Sequence, residues 1–504
     1  MSQHDSSACY LGLDIGTSGS KGVMLDAQGR LLAESVADHA IATPRPGWTE
    51  QEPADWWAAV QRVCRDLVQR CGPPASVGLT GQMHGAVFLD ADDAVIRPAL
   101  LWNDQRTAEQ AVEVEQLVGA ERLRSIAGNP SLTGFQAPKL LWLRTEEPAH
   151  WARLARVLLP KDFIRLRLTD IAATDASDAA GTLLLDLTQR DWSDEILAAL
   201  DIPRAWLPTV FEGPEITGEV TVEAARLTGL EAGTPVVAGG GDNAAAAVAN
   251  GALNEGDSVV SVGTSGVVFA PTDAVRPDPE GAIHAFCHAV PGRYHLMGVM
   301  LSAGGSLQWA AQTLAGPTTE PDYECLLNEA AEVPPGAGGL YFLPYLAGER
   351  TPHMDPYARG AWAGLSLAHG RGHLIRAVLE GVSYGLRDAF DRVEALNVTL
   401  TQPRLIGGGM RDPVWREILV SALGRECVFA GAGAEPATGA AILAAAGVSN
   451  DTDLTATVAA MAPSAREAVA PAPELAAAYE PLQRASAALY PAIRQWQREH
   501  TGEA

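Results

Sequence analysis

Near its start the chain carries an apolar run, residues 10–15, that breaks at the small-residue turn Gly16-Thr17-Ser18-Gly19-Ser20. Apolar positions resume over 21–25 and 31–35, on either side of Ala27-Gln28-Gly29. Short apolar runs bounded by turn residues are the mark of buried strands, so this stretch predicts a strand, a tight loop and a hairpin. From Glu52-Pro53 to about Arg70 the apolar residues move to helical spacing, and 77–80 returns to a strand-like run. The two periods keep alternating, which predicts an α/β architecture. Beyond about residue 450 alanine and proline become frequent. Residues 473–498 then carry Leu475, Tyr479, Leu482 and Leu489 at helical intervals, predicting a closing helix used for packing.

One feature repeats. Gly16-Thr17-Ser18-Gly19 returns half a chain later as Gly263-Thr264-Ser265-Gly266, again behind an apolar run. Four small turn formers do not prove a duplication. If the halves are related lobes, each offers one such loop to a shared cleft, a common place for a nucleotide. The length, 504 residues, exceeds one ordinary core and calls for at least two units. A boundary is expected between Asn250 and Asp257: Gly251 can end the alanine-rich helix that starts near Asp242, and Leu253-Asn254-Glu255-Gly256 reads as a connector. The expected lobes are therefore 1–250 and 251–504.

Charge narrows the partners. With 36 Lys+Arg against 61 Asp+Glu the formal net charge is −25, which repels a nucleic-acid backbone or an anionic membrane but not a nucleotide held by local N–H groups and a metal ion. The six cysteines (Cys9, Cys64, Cys71, Cys287, Cys325, Cys427) form no C-x-x-C pair, so neither a disulfide framework nor a structural zinc site is expected. The N-terminus lacks a basic segment followed by an apolar one, and no long uninterrupted apolar stretch occurs, so a cytoplasmic address is expected.

Five segments carry candidate chemistry. Asp14 ends a buried strand beside Gly16-Thr17-Ser18-Gly19, whose small residues let backbone N–H groups approach phosphate oxygens; the carboxylate can hold Mg²⁺, directly or through water, or simply receive turn hydrogen bonds. Gly263-Thr264-Ser265 has no matching acid and can supply donors only. Asp242 follows Gly239-Gly240-Gly241 and precedes a helical run, a position that suits a helix N-cap and equally a base accepting the proton of an attacking hydroxyl. Gly407-Gly408-Gly409 ends another strand before Asp412-Pro413 opens a helix, and its bare backbone can carry an adenine or ribose, or serve close strand–helix packing. Gln82-Met83-His84 offers an amide, an apolar surface and an imidazole in one turn, enough to grip a polyhydroxylated ligand, although a lone loop histidine is often incidental. No G-x-G-x-x-G with a downstream acid fits a βαβ unit, which sets aside a dinucleotide-dependent dehydrogenase.

From Tyr10 to about Gly447 the chain resembles the FGGY carbohydrate kinases of the actin-like ATPase superfamily. The resemblance rests on the spaced set Gly360, Trp362, Gly364-Leu365, His373-Leu374 and Ala377-Val378-Leu379-Glu380, and on Gly134-Phe135-Gln136-Ala137-Pro138-Lys139, where Gln136 replaces the usual small residue or proline. It implies two actin-like (ribonuclease H-like) lobes around a cleft, with ATP and Mg²⁺ as cofactors. In this scheme 1–250 binds the sugar and holds the catalytic aspartate, and 251–504 binds the nucleotide and ends in the helical tail. It implies further that Asp242 is the base, that Met83, His84 and Asn243 line the sugar site, and that Asp14 with Thr17, Ser18 and Gly19 handles metal and phosphate. Gly263, Thr264, Ser265, Gly407, Gly408 and Gly409 would then face the nucleotide. Gln82-Met83-His84-Gly85, Leu159-Pro160-Lys161-Asp162 and Gly348-Glu349-Arg350-Thr351-Pro352-His353 resemble the members that act on ketopentoses, with D-xylulose the expected sugar. Ribulose, fuculose, gluconate or glycerol, and an actin-like ATPase without a sugar, stay open as alternatives. A homodimer is a family-level expectation.

Overall fold

Strand β1 (Cys9–Ile15) is buried along nearly its whole length, as its apolar run requires, and lies between β2 (Gly19–Asp26) and the parallel strand β4 (Ser76–Gly81). With β3 (Leu31–Asp38), β5 (Ile216–Glu219) and β6 (Pro235–Val237) these form a sheet in the order β5-β6-β4-β1-β2-β3. A second sheet is built from β7 (Val259–Val262), β8 (Gly266–Thr272), β9 (His284–Cys287), β10 (Tyr294–Met300), β11 (Arg404–Ile406), β12 (Cys427–Phe429) and β13 (Glu467–Val469), in the order β13-β12-β11-β7-β8-β10-β9. The two sheets repeat one design: an antiparallel edge pair, two parallel neighbours, then antiparallel hairpin strands. Each Gly-Thr-Ser motif occupies the same turn of its own sheet, between β1 and β2 and between β7 and β8, so their recurrence reflects architecture. This computed structural model describes residues 8–316, 319–430, 435–449, 454–462 and 467–500; the outermost ends of the two expected lobes, 1–7 and 501–504, lie outside them.

Helix α1 (Pro53–Cys71) starts on its proline, ends at Gly72 and buries Trp56, Val60, Val63 and Leu67, the 3–4 spacing of one helical face, against β2 and β3. Farther on come α2 (Pro160–Thr169), α3 (Asp242–Ala249), α4 (Gly304–Ala315) and α5 (Pro413–Leu423), the last with Asp412 as its N-cap, accepting from Trp415 N at 2.9 Å. Helix α6 (Pro436–Gly447) belongs to the second half of the chain yet packs on β1, β4 and α3. Its approach is so close that a Cβ on Gly12 or Gly78 would stand 1.9 Å from the carbonyl oxygen of Ala437 or Ala440, which is why the strands carry glycine there. This crossing brings Glu435, just before α6, to the end of the first sheet. The closing helix α7 (Pro473–His500) covers the second lobe and buries Tyr479, whose hydroxyl meets Arg376 (2.6 Å) and Glu380 (3.2 Å). All six cysteines are free, and no helix of the described residues is long and apolar enough to cross a membrane.

Candidate active site

The loop after β1 is held from behind. Gly16 N donates to Gly19 O (3.0 Å), Gln51 Nε2 donates to Thr17 O (2.7 Å), and the Thr17 hydroxyl accepts from Trp102 Nε1 (3.0 Å) while donating to Gln82 Oε1 (3.2 Å). Thr17 therefore ties this loop to the Gln82 turn, and Ser18 is left exposed with Gly19 partly so. Asn103 and Asp104 are taken up by structural contacts: Asp104 is buried and grips Arg106, and Asn103 Oδ1 accepts from Thr49 Oγ1. Asp14 is different. Its Oδ1 is buried with no hydrogen-bond partner, and burial, followed by the charges of Asp242 and Glu435, pushes its pKa up to about 7 against the opposing pull of Lys21. Lys21 itself is drawn off by Glu435 (2.6 Å) and Glu34 (2.9 Å).

The strand-like pair Gly240–Gly241 lies parallel to β4, with Gly241 opposite Gly81, so the residues that follow, Asp242 and Gln82, leave neighbouring strands side by side. Gly239 has φ +77°, and a Cβ there would stand 1.8 Å from Leu79 O. Only glycine lets the chain turn this tightly. The expected N-cap role for Asp242 is corrected: Gly241 is the cap residue, and Asp242 is the first residue of α3. Its Oδ1 accepts instead from its neighbour's N (2.7 Å) and from Asn243 Nδ2 (2.8 Å). Burial raises its pKa to about 6, with those two donors opposing the rise.

Met83 and His84 are buried next to this turn; a Cβ on Gly241 would lie 3.0 Å from Met83 Sδ. His84 adopts φ +68°, its ring lies edge-on to Phe135, and its Nδ1 sits 2.6 Å from Gly181 O. A carbonyl only accepts, so Nδ1 carries the proton, and Nε2 is an acceptor without a partner among the described residues. Burial drives the imidazole down to about 3, so it works as a neutral ring at any physiological pH. Lys139 Nζ donates to His84 O (3.0 Å) and also reaches Gly134 O, while Gln136 Nε2 donates to Gly85 O (2.8 Å), giving the unusual glutamine a buried task.

Asp242 and Asn243 form one wall of a cavity of about 330 Å³, and Ser261, Ile406, Gly407 and Gly408 form the other. Phe269 and Phe429 give it apolar surface, and Arg411 and Glu435 give it charge. Gly408 opens onto it without obstruction, whereas Gly409 packs on Val262 and Trp415 behind the wall. The second Gly-Thr-Ser loop is braced by the start of α4: Ala303 N and Gly305 N donate to Thr264 O (2.9 and 3.0 Å), and Gly304 N donates to Gly263 O (2.7 Å). Thr264 and Ser265 are exposed and stand outside the cavity wall, as do Thr17, Ser18, Gly19, Met83 and His84. Asp242 thus joins two groups, with Asp14, Met83 and His84 toward the first sheet and Gly407 and Gly408 toward the second. Sequence reasoning missed Glu435, Arg411, Phe269 and Phe429. Arg411, two residues past Gly409, and Phe269, three past Gly266, stood near recognised motifs.

A sheet design used twice, a Gly-Thr-Ser turn in each copy and a carboxylate on the wall of the cavity define a two-lobed, actin-like phosphotransferase fold. Matches to known proteins sharpen the class. Residues 9–249 match the N-terminal domain and residues 258–448 the C-terminal domain of the FGGY family of carbohydrate kinases. The chain belongs to that family and is an ATP-dependent sugar kinase. It is 45% identical over 438 residues to the xylulose kinase of Escherichia coli strain K12, covering 86% of this chain and 89% of the relative. The crystal structure of a xyloylose kinase from Brucella ovis superposes with a TM-score of 0.90 at 37% identity, covering 97% of this chain and 100% of the other. A gluconate kinase from Lactobacillus acidophilus superposes with a TM-score of 0.91 at 27% identity, over 98% and 99% of the two chains.

Proposed function

We propose that this kinase transfers the γ-phosphoryl group of ATP to the terminal hydroxyl of D-xylulose, forming D-xylulose 5-phosphate, with Asp242 as the base. The observation that carries the reading is the position of Asp242, at the start of a helix, on the wall of the interlobe cavity and one residue from the Gly241–Met83 contact. The choice of sugar draws on the xylulose kinase relatives and on the Met83-His84 pair, whose neutral ring and apolar side chain suit an uncharged polyol.

In this scheme Asn243 holds Oδ1 of Asp242 and leaves Oδ2 for the substrate. The sugar hydroxyl gives its proton to that carboxylate, its oxygen bonds to the γ-phosphorus, the bond to the β-phosphate oxygen breaks, and ADP leaves. A base with a pKa near 6 is ionised at neutral pH yet basic enough to take a proton as the P–O bond forms. The orphaned Oδ1 of Asp14 fits a hard cation, and no cluster of three or more His, Cys, Asp or Glu among the described residues is arranged to hold one alone. Mg²⁺, which takes few carboxylates and shares phosphate oxygens and water, would be held there and would offset phosphate charge. The lobe 1–250 then serves the sugar and 251–504 the nucleotide. Cytoplasmic location and a homodimer accompany the reading, checked by fractionation and light scattering.

The test is ADP release with ATP and Mg²⁺ across D-xylulose, D- and L-ribulose, L-fuculose, glycerol and gluconate, with a control lacking sugar. A selective rate with D-xylulose is expected. Preference for another sugar overturns the substrate, and equal rates without sugar overturn the kinase mechanism.

A further inference from the structure

Lys161 and Asp162, at the start of α2, are fully buried together with Arg165, Asp175 and Asp178. Lys161 Nζ lies 2.6 Å from Asp162 Oδ1, 2.7 Å from Asp175 Oδ2 and 3.3 Å from Asp178 Oδ2. Taking each such charge out of water costs several kcal/mol, and apolar side chains of equal volume often serve stability as well or better, so the cluster calls for a role other than stability. Its outward bonds point to one. Arg165 donates to Val237 O (2.7 Å) and to Ala238 O, the residues leading into Gly239-Gly240-Gly241. Asp175 Oδ1 accepts from the N–H groups of Ser177 (2.8 Å) and Asp178 (3.1 Å) and from the Ser177 hydroxyl. Ser177 Oγ in turn accepts from Gly241 N (3.0 Å), the residue before Asp242, and Gly181 O, four residues on, receives the His84 ring at 2.6 Å. One short segment, anchored on buried charge, therefore holds both the loop of the base and the histidine on the sugar side. Burial holds the Asp178 carboxyl well above the usual carboxylate range, against the opposing pull of Lys161.

We propose that the chain Lys161–Asp175–Ser177 is a positioning device that fixes Asp242 relative to the substrate hydroxyl, an inference that rests on Asp242 being the base. Ser177 is the link to cut, because its removal leaves every charge of the cluster in place. A displaced base leaves ATP bound beside a poorly aligned sugar, so water competes for the phosphoryl group. The ratio of ADP to sugar phosphate then rises, and this ratio is independent of how much enzyme is folded.

In Ser177→Ala, with D-xylulose saturating, kcat for sugar phosphate is expected to fall at least tenfold, the KM for ATP to stay within twofold, and ADP to exceed sugar phosphate. An unchanged kcat, or a fall in kcat with ADP and sugar phosphate still equal, overturns the proposal; the second result assigns Ser177 a merely structural role. If the alanine variant does not fold, Ser177→Cys, which keeps a weaker acceptor in a similar volume, is read by the same ratio and the same criteria. Asp242→Asn is assayed in parallel with D-xylulose. Full turnover there defeats the reading of the base itself, whereas an inactive Asp242→Asn beside a fully coupled Ser177→Ala defeats only the positioning role.

Discussion

Gly407 and Gly408 are neighbours that make opposite demands, and replacing each by alanine separates the fold from the nucleotide site. Gly407 has φ +94° and ψ 166°, a region that residues with a Cβ avoid at about 1–3 kcal/mol, and a Cβ there would stand 2.5 Å from Val262 O, a backbone atom that cannot swing aside. Shifting the β7 backbone adds a further cost of about 1–3 kcal/mol. Gly407→Ala should therefore lose roughly 2–6 kcal/mol. At about 2–4 °C per kcal/mol for lobes of this size, melting should drop by about 5–20 °C. A Cβ on Gly408 meets no atom within 4 Å, yet the residue lines the cavity. Gly408→Ala should melt within about 2 °C of the parent, since a strain-free surface change stays within about 0.5 kcal/mol. It should raise the KM for ATP by about threefold to tenfold, the effect of losing roughly 1 kcal/mol of contact, and leave the KM for sugar unchanged. Differential scanning fluorimetry and steady-state kinetics on the two variants decide the matter. An unchanged KM for ATP in Gly408→Ala would refute the assignment of that wall to the nucleotide, and an unshifted melt in Gly407→Ala would refute the geometry of the turn.

Two further perturbations address the charges and the sugar site. Glu435 is one of the charges that raise Asp14, so Glu435→Gln should lower the Asp14 pKa from about 7, and freeing Lys21 from Glu435 acts in the same direction. Asp14 then stays ionised to lower pH, and the acidic limb of kcat/KM for MgATP should move to more acidic pH; movement the other way contradicts the electrostatic picture. His84→Gln should raise the KM for D-xylulose with little change in that for ATP. Because the imidazole is held near 3, the sugar KM of the parent enzyme should show no limb near pH 6.5 from this ring.

Much of the local structure was legible in the chain. The proline and glycine flanking α1, the Asp412-Pro413 start of α5 and the hairpin signal around Ala27-Gln28-Gly29 each appear where backbone chemistry requires them. These signals are local, because a cap, a proline or a small-residue turn acts within a few residues. The N-cap reading of Asp242 failed by one position: glycine filled the cap and left the carboxylate facing the cavity. What the chain did not disclose are partners chosen by packing. Helix α6 is buried on every side from Ala437 to Ala445, so no periodicity in its sequence says what it packs on; nor does the sequence show that its crossing to the first sheet brings Glu435 to Lys21, or that Ser177 meets Gly241. Phe269 and Phe429 line the cavity because the sheet sets β8 and β12 on either side of β7 and β11, whose Val259, Ser261 and Ile406 line it too.

The central claim is that Asp242 activates the sugar hydroxyl, and the most direct measurement is the turnover of Asp242→Asn with D-xylulose, ATP and Mg²⁺ alongside its melting curve. Removing a positioned general base costs about 10²–10⁴ in rate, so kcat should fall by that factor while the melting temperature holds. Turnover within tenfold of the parent, in a variant that melts normally, would contradict the account.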